Sequence, residues 1–219
     1  MIDWPVIDSV LLDMDGTLLD LHFDNYFWLE FVPQQYADKH NMSLQDAKQE
    51  LFSRYKAVEG NMQWYCVDHW SDQLGLDIVS LKVEIRHKIK ILPHVEEFLR
   101  QAKISRKKFY LVTNAHRKSL QLKLSETGIG EFFDEIECTH DFGVPKEHRE
   151  FWPRLEEKLG FDKRRSLLID DSLPVLRCAE QYGIKHLLSI GKPDSQAPVR
   201  HTEHYTALED FSQILPIID

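Results

Sequence analysis

The chain has 219 residues, of which 42% are hydrophobic, and its 36 acidic and 27 basic side chains give a formal net charge of −9. This length and composition are typical of one well-cored globular domain, or one domain with a large insertion. The acidic balance and the lack of a basic stripe argue against nucleic-acid binding. No apolar run approaches the roughly 20 residues that span a bilayer, and no signal-peptide pattern opens the chain, so we expect a cytoplasmic protein without a membrane partner.

Strand patterns and helix patterns alternate along most of the chain. Short β-branched or leucine-rich runs followed by helical periodicity are typical of βαβ units that form a parallel sheet. The pattern therefore predicts an α/β fold with a doubly wound parallel sheet. The predicted strands cover residues 9–13, 108–113, 135–139, 166–170 and 186–190, and the predicted helices of this region cover about 93–103, 116–127, 147–159 and 172–182.

Residues 21–90 interrupt the alternation, because they separate the first two strands and contain no strand pattern. Their apolar and aromatic residues recur at helical spacing, and Ser43 is suited to the N-cap of the middle helix. A connection of this length exceeds a normal crossover between parallel strands. The helices predicted within it lie near 24–39, 43–59 and 61–74.

This interruption predicts two structural units. Residues 1–20 and 91–219 are expected to form the α/β core, and residues 21–90 an inserted helical cap over the carboxyl ends of the strands, where open α/β sheets bind ligands. A helical layer without a functional role is the alternative. Residues 191–206 are expected to be a mobile, polar connection.

The three cysteines, Cys66, Cys138 and Cys178, are scattered through the sequence without a CxxC pair. This spacing indicates neither a zinc site nor a disulfide framework. The histidines show no metal-ligand spacing either. We therefore expect three reduced, largely buried thiols.

The first predicted strand ends in two carboxylates, Asp13 and Asp15, followed by Gly16. Residues two apart in an extended segment point the same way, and glycine allows the chain to turn sharply after them. Two neighbouring anions repel each other, so such a site needs a divalent cation or must keep one carboxyl protonated. Leu18 and Leu19 stand where an EF-hand loop would carry ligands. Taken alone, the stretch is better explained as a strand that ends in a polar turn.

Three further strand ends deliver polar residues to the same edge of the predicted sheet. Thr113 and Asn114 follow the second strand and offer a hydroxyl and an amide to phosphate oxygens. Lys146 follows the third strand and can neutralise phosphate charge. Asp170 and Asp171 follow the fourth strand and supply oxygens for a hard metal ion. Together the four strand ends predict a site for phosphate and metal.

The ordered set of motifs resembles the haloacid-dehalogenase-like (HAD) hydrolase superfamily. Its signature is Asp-x-Asp-Gly-Thr, a strand-terminal Thr or Ser, a Lys, and an acidic pair after another strand, and all four occur in order over residues 10–175. The resemblance implies a Mg²⁺-dependent phosphomonoesterase. In it, Asp13 attacks phosphorus to form an aspartyl-phosphate, and Asp15 serves as general acid and then as general base.

The resemblance also assigns ligands. It implies that Mg²⁺ is held by the Asp13 side chain, the Asp15 backbone carbonyl and Asp170, and that Thr113, Asn114 and Lys146 hold the phosphoryl oxygens. Many relatives place another Asp four residues after the metal-binding one, whereas this chain has Pro174 there. Asp171 is expected either to complete the metal shell or to orient Lys146 or a metal-bound water.

Asp15 favours phosphoester chemistry, because the dehalogenases of this superfamily lack an acid at that position. The chain as a whole resembles the bacterial GMP/IMP nucleotidase branch, which implies hydrolysis of purine nucleoside 5′-monophosphates to nucleoside and phosphate. The stretches that carry this second resemblance are residues 23–28, 64–66, 70–71, 113–116 and 142–146.

A purine requires flat apolar surface and a few polar contacts, which an aromatic cap can supply. Phe23, Trp28 and His116 are the predicted substrate contacts, and core packing is the alternative for each aromatic residue because large rings are usually buried. The further aromatic candidates are Tyr26, Trp64, Tyr65 and Trp70.

Other functions remain open at this stage. A phosphatase for phosphoglycolate or sugar phosphates, or a phosphomutase, would use the same core and differ in the cap. A non-enzymatic binding module should have lost Asp13 or Lys146, and both are present. The expected partner is a small phosphomonoester, and a purine nucleoside monophosphate is preferred to the alternatives. The expected assembly is a monomer or homodimer.

Overall fold

The computed structural model describes residues 2–219. All strand pairs are parallel, and the six strands form one sheet in the order β3-β2-β1-β4-β5-β6. Strand β1 lies centrally, where the strand order reverses, and open α/β sheets bind ligands at such a point. The strands are β1 (Ser9–Leu12), β2 (Lys108–Thr113), β3 (Glu135–Cys138), β4 (Ser166–Ile169), β5 (His186–Ile190) and β6 (Thr206–Leu208).

The register of the central strands brings the motif residues together. Leu12 of β1 pairs with Leu111 of β2 on one side and with Ile169 of β4 on the other. The Asp13 N–H continues the ladder by donating to the Ile169 carbonyl at 3.0 Å. The residues that follow β1, β2 and β4 therefore emerge at one edge of the sheet.

Helices cover both faces of the sheet. Val10 and Leu12 belong to the apolar cluster on one face and Leu11 to the cluster on the other, as the alternation of side chains along a strand requires. Both clusters are fully buried, which explains why the strands read as continuous apolar runs. The helices that cover the two faces are α7 (Val95–Ile104), α8 (Arg117–Thr127), α9 (Phe151–Leu159) and α10 (Leu173–Tyr182).

Residues 22–84 form a helical layer with an apolar cluster of its own, which includes Phe27, Leu51 and Trp70. Helix α1 (His22–Tyr26) continues through a π-helical turn, Phe27–Phe31, into α2 (Val32–His40). Ser43 caps α3 (Leu44–Val58), as predicted, by accepting a hydrogen bond from the Asp46 N–H at 3.1 Å. The helices of the layer are α1 (His22–Tyr26), α2 (Val32–His40), α3 (Leu44–Val58), α4 (Met62–Tyr65), α5 (Val67–Leu74) and α6 (Ile78–Glu84).

The predicted α/β fold is confirmed, and the five predicted strands agree with the structure to within one residue. The helix predicted over 147–159 begins later, at Phe151. The helix predicted at 61–74 is two helices, because Cys66 has an extended backbone and its sulfur caps α5. Helix α6 and strand β6 were not predicted, since seven and three residues carry too little periodicity.

The prediction of a mobile connection over residues 191–206 is wrong, because polar contacts tie this segment to the start of the helical layer. The Ser195 N–H donates to Asp20 Oδ1 at 2.9 Å, and Asn25 Nδ2 donates to Asp194 Oδ2 at 2.7 Å. Its polar composition therefore reflects side chains that satisfy loop backbone, as Asp and Asn commonly do.

Residues 2–219 bear on the expectations about membrane helices and cysteines. Among residues 2–219, no helix combines the length and the apolar character that crossing a bilayer requires. All three cysteines are free thiols, with Cys138 and Cys178 buried and Cys66 half-buried.

Candidate active site

A tight turn after β1 orients the first pair of carboxylates. Gly16 has φ +84°, a left-handed conformation that favours glycine, and its N–H donates to the Leu19 carbonyl at 2.7 Å. A Cβ atom at Gly16 would lie 2.7 Å from Cγ of Asp171. Only glycine therefore allows the turn to pack directly against this second acidic motif.

Three buried carboxylates converge at the edge of the sheet. Asp13, Asp170 and Asp171 each offer an oxygen within 4.8 Å of the others, and the residues are 6%, 0% and 9% exposed. The Lys146 ammonium lies between two of them, with Nζ 2.5 Å from Asp13 Oδ1 and 2.7 Å from Asp170 Oδ2. The strand ends that the sequence predicted to converge do so, with Lys146 bound to the acidic residues.

Negative charge exceeds positive charge in this cluster. Burial raises the pKa of Asp13 to about 6, with Lys146 opposing the rise and Asp170 adding to it. Burial likewise raises the pKa of Asp170, and burial together with the neighbouring anions raises that of Asp171 well above its usual range. The raised pKa values show that burial, and repulsion between these carboxyl groups, oppose their ionisation. A hard divalent cation such as Mg²⁺ would relieve that repulsion and prefers oxygen ligands of this kind.

Asp171 is paired with an arginine that sequence reasoning missed. Arg200 Nη2 donates to Asp171 Oδ2 at 3.0 Å and to the Asp171 carbonyl oxygen. Lys146, by contrast, contacts Asp13, Asp170 and the Val112 carbonyl. Arg200 lies in the segment after β5, where nothing in the sequence pattern links it to the acidic motif.

Thr113 and Asn114 stand beside this cluster and are both buried. The Thr113 hydroxyl oxygen accepts from the Ala115 N–H at 3.0 Å, which leaves its proton for an oxygen in the cavity. Asn114 accepts from the Lys146 N–H at 2.9 Å and donates to Glu147 at 2.9 Å. Asn114 therefore fixes the backbone at Lys146.

Asp15 belongs to a second network of buried charges. Lys123 of α8 lies 2.6 Å from Asp15 Oδ1 and 2.5 Å from Asp24 Oδ2, and Lys82 of α6 lies 2.8 Å from Asp24 Oδ1. The two lysines are only 1% and 3% exposed. Sequence reasoning missed Asp24 and both lysines, because a buried lysine in a helix looks like an ordinary solvent-facing one.

This network sets the ionisation of its two carboxylates differently. Burial raises the pKa of Asp15 to about 6, with Lys123 lowering it and Asp24 raising it. Burial also opposes ionisation of Asp24, but Lys123 and Lys82 outweigh that effect and hold its pKa below the usual range. Asp15 is therefore the carboxyl that can exchange a proton near neutral pH, while Asp24 stays ionised.

A cavity of about 350 Å³ lies between the strand ends and the helical layer. Its polar side includes the acidic cluster, Thr113 and Lys146, and its apolar side is aromatic. The Tyr55 hydroxyl is buried and has no hydrogen-bond partner among residues 2–219. The aromatic side chains that line the cavity are Trp28, Tyr55, Trp64, Tyr65 and Trp70.

The three predicted substrate contacts differ in position. Trp28 and His116 line the cavity, whereas Phe23 is 1% exposed and packs in the apolar cluster of the helical layer. Phe23 instead lies beneath the two lysines, with its ring centre 4.9 Å from Lys82 Nζ and 5.3 Å from Lys123 Nζ. The aromatic ring therefore supports the buried cations.

His116 stands at the start of α8, next to a second histidine, His140. The two rings meet edge to face with centres 4.7 Å apart. Burial lowers the pKa of both, that of His140 to about 4 with His116 adding to the effect. Both rings are therefore neutral near pH 7.

The fold and the acidic cluster define the class of the protein. The family described as haloacid dehalogenase-like hydrolase matches residues 7–183. The chain belongs to this family. The GMP/IMP nucleotidase YrfG of Escherichia coli (strain K12) is 40% identical over 215 residues, which cover 98% of this chain and 97% of the relative. This identity and the presence of Asp15 make the protein a phosphatase of the family rather than a dehalogenase.

Solved structures share the fold at lower sequence identity. The HAD phosphatase from Thermococcus onnurineus is 21% identical, with a TM-score of 0.77 and coverage of 92% of this chain and 93% of that one. The HAD-hydrolase YfnB from Bacillus subtilis bound to magnesium is 17% identical, with a TM-score of 0.66 and coverage of 95% and 96%. These likenesses concern the architecture.

Proposed function

We propose that this protein is a Mg²⁺-dependent 5′-nucleotidase that hydrolyses GMP and IMP to nucleoside and phosphate. The observation that carries the proposal is a single cavity with an acidic, lysine-bearing side and an aromatic side. Such a cavity suits a ligand that is anionic at one end and flat at the other. The identity to YrfG over nearly the whole chain supports this substrate class.

The acidic side carries the chemistry in this proposal. Asp13 attacks phosphorus as the bond to the 5′ oxygen breaks, and the Asp15 carboxyl donates its proton to that oxygen. Asp15 then takes a proton from water, whose oxygen attacks the aspartyl-phosphate and releases phosphate and free Asp13. A carboxyl whose pKa is about 6 can both give and accept a proton near neutral pH.

The proposal also assigns the residues that would bind Mg²⁺. Asp13, Asp170 and the Asp15 carbonyl would hold Mg²⁺, with Asp171 near enough to bind it directly or through water. When bound, Mg²⁺ supplies positive charge that offsets the repulsion between carboxylates and phosphate. YfnB, which shares the fold, was crystallised with magnesium bound.

Lys146 and Thr113 are assigned to the phosphoryl oxygens. Lys146 Nζ is held by Asp13, Asp170 and the Val112 carbonyl, so its position is fixed before substrate binds. A cation fixed in advance stabilises developing charge without reorganisation. We assign Asn114 mainly to the positioning of Lys146 and Lys123 to the positioning of Asp15, because these are the contacts they make.

The helical layer is assigned to recognition of the purine base of the substrate. We propose that residues 21–90 act as a cap on a core of residues 1–20 and 91–219, and that Trp28 and its aromatic neighbours contact the purine. The buried Tyr55 hydroxyl would donate to the 6-oxo group that GMP and IMP share. A buried hydroxyl without a partner is unfavourable, so a substrate that satisfies it gains affinity.

A substrate panel tests the proposal. Purified protein with Mg²⁺ is assayed for phosphate release from GMP, IMP, AMP, a pyrimidine nucleotide, phosphoglycolate and hexose phosphates, with Asp13→Asn as the inactive control. We expect the highest kcat/KM for GMP and IMP. If phosphoglycolate or a hexose phosphate ranked first, the nucleotidase assignment would fail while the phosphatase class would stand.

A further inference from the structure

A second group of potential metal ligands lies beside the cavity. Cys66, His116 and His140 each offer one ligand atom within 4.8 Å of the other two. They come from three distant parts of the chain, namely the junction of α4 and α5, the N-cap of α8 and the segment after β3. This separation explains why sequence spacing gave no sign of a metal site.

His140 presents an unsatisfied nitrogen in this group. Its Nε2 is buried and has no hydrogen-bond partner within residues 2–219. The Cys138 thiol donates to the Ala115 carbonyl at 3.1 Å, so its 3.8 Å contact with His140 Nδ1 uses the sulfur as acceptor. The ring proton then lies on Nδ1, and Nε2 keeps a free lone pair. The lone pair of His140 Nε2 is therefore not used by any hydrogen bond within residues 2–219 and can bind a cation.

Cys66 is placed to act as a thiolate ligand. Its sulfur sits at the N-terminus of α5 and accepts a hydrogen bond from the His69 N–H at 3.4 Å. The first turn of a helix favours negative charge, which stabilises a thiolate bound to a metal. The residue is half-buried, so an ion can reach it from solvent.

We propose that Cys66, His116 and His140 form a binding site for a soft divalent cation of the Zn²⁺ class, separate from the carboxylate site for Mg²⁺. One thiolate and two imidazoles select Zn²⁺ over Mg²⁺, which binds oxygen ligands. Zinc distances of about 2.3 Å to sulfur and about 2.0 Å to nitrogen require the three groups to draw together slightly. Three protein ligands leave a fourth position for water.

The site would join two parts of the molecule. Cys66 belongs to the helical layer, and the two histidines follow strands of the sheet. His116 also lines the cavity, so the bound ion would lie next to the substrate position. Binding of the ion would therefore fix one edge of the helical layer against the sheet.

Cobalt spectroscopy on the full-length protein tests the proposal without an activity readout. Reduced, metal-free protein is titrated with Co²⁺, which gives a sulfur-to-cobalt charge-transfer band when a thiolate binds, and Zn²⁺ is then added in competition. We expect the band in the parent protein and its loss in Cys66→Ser. We expect His140→Gln to keep a weaker band and to reduce Zn²⁺ affinity at least about 10-fold, since loss of a residue that only hydrogen-bonds to a metal ligand already costs that much.

Two matched controls separate this site from other metal-binding groups. Cys178→Ser removes a buried thiol that lies outside the group, and Asp170→Asn removes one carboxylate of the proposed Mg²⁺ site; both variants should keep the band. No sulfur band in the parent protein would overturn the proposal, as would a band that survives Cys66→Ser or disappears in Asp170→Asn. Circular dichroism of Cys66→Ser verifies folding, and a misfolded variant leaves the decision to His140→Gln, whose unchanged Zn²⁺ affinity would also overturn it.

Discussion

Replacement of Lys123 by Met should move the pH profile of the enzyme in a defined direction. In the proposed first step Asp13 must be ionised and Asp15 protonated, so the basic limb of kcat/KM reports the pKa of Asp15. The Lys123 ammonium lies 2.6 Å from Asp15 Oδ1 and lowers that pKa. Its removal should therefore raise the pKa of Asp15 and shift the basic limb to higher pH.

The size of the shift follows from the charge separation. Two unit charges about 4 Å apart interact by about 4 kcal/mol at an effective dielectric constant of about 20, and one pKa unit corresponds to about 1.4 kcal/mol. This gives an upper limit of about 3 units, and water that enters the space left by the lysine reduces it. We expect the basic limb to shift by about 1 to 3 pH units. We also expect a lower kcat at pH values below the new pKa, because Asp15 is then protonated and cannot act as the general base of the second step.

Stopped assays of phosphate release from GMP across the pH range measure this shift. Lys118→Met is the matched control, because Lys118 lies on the same helix and pairs with the exposed Asp68. Addition of Asp24→Asn to Lys123→Met removes a nearby anion and should move the basic limb part of the way back. An unmoved limb with a raised KM would refute the assignment and would indicate that Lys123 binds substrate instead.

Three further changes have expected outcomes. Asp13→Asn should reduce phosphate release at least about 10⁴-fold in the same assay, because the amide removes the carboxylate that the proposal assigns as nucleophile; wild-type turnover would exclude this covalent route. Tyr55→Phe should lower kcat/KM for GMP about 5- to 100-fold, the equivalent of about 1–3 kcal/mol, and leave ribose 5-phosphate unaffected; an equal loss for both would remove Tyr55 from base recognition. Asp171 has a raised pKa, so its ionisation destabilises the metal-free fold as pH rises through that pKa. Asp171→Asn should therefore raise the thermal midpoint at about pH 8, by about 2–4 °C per kcal/mol, with no gain at about pH 3; a lower midpoint at pH 8 would contradict this.

The sequence predicted the fold and the acidic cluster because both depend on local signals. Apolar runs that end in polar residues identify parallel strands, and the carboxyl ends of such strands must meet at one edge. Asp13, Asp170 and Lys146 could therefore be brought together without coordinates. The Gly16 turn was equally readable, since its backbone conformation is one that glycine favours.

Contacts between distant side chains could not be predicted in this way. Asp24, Lys82 and Lys123 belong to three helices, and their pairing depends on how the helical layer packs against α8. Phe23 shows the same limit: its type and position suited a base contact, but helix α1 turns it into the apolar cluster. Residue type thus indicated which chemistry was available, whereas packing decided which residues face the cavity.

The buried lysines near Asp15 require an explanation other than stability. Removal of two ammonium groups and two carboxylates from water offsets most of their mutual attraction, so a buried ion pair stabilises a fold only weakly. Here Lys82 and Lys123 occupy both oxygens of Asp24, and Lys123 holds one oxygen of Asp15. The other oxygen of Asp15, whose residue lines the cavity, remains available for proton transfer. The arrangement thus fixes the orientation of the proposed acid and base, and the charge of Lys123 opposes the rise that burial causes in the pKa of Asp15.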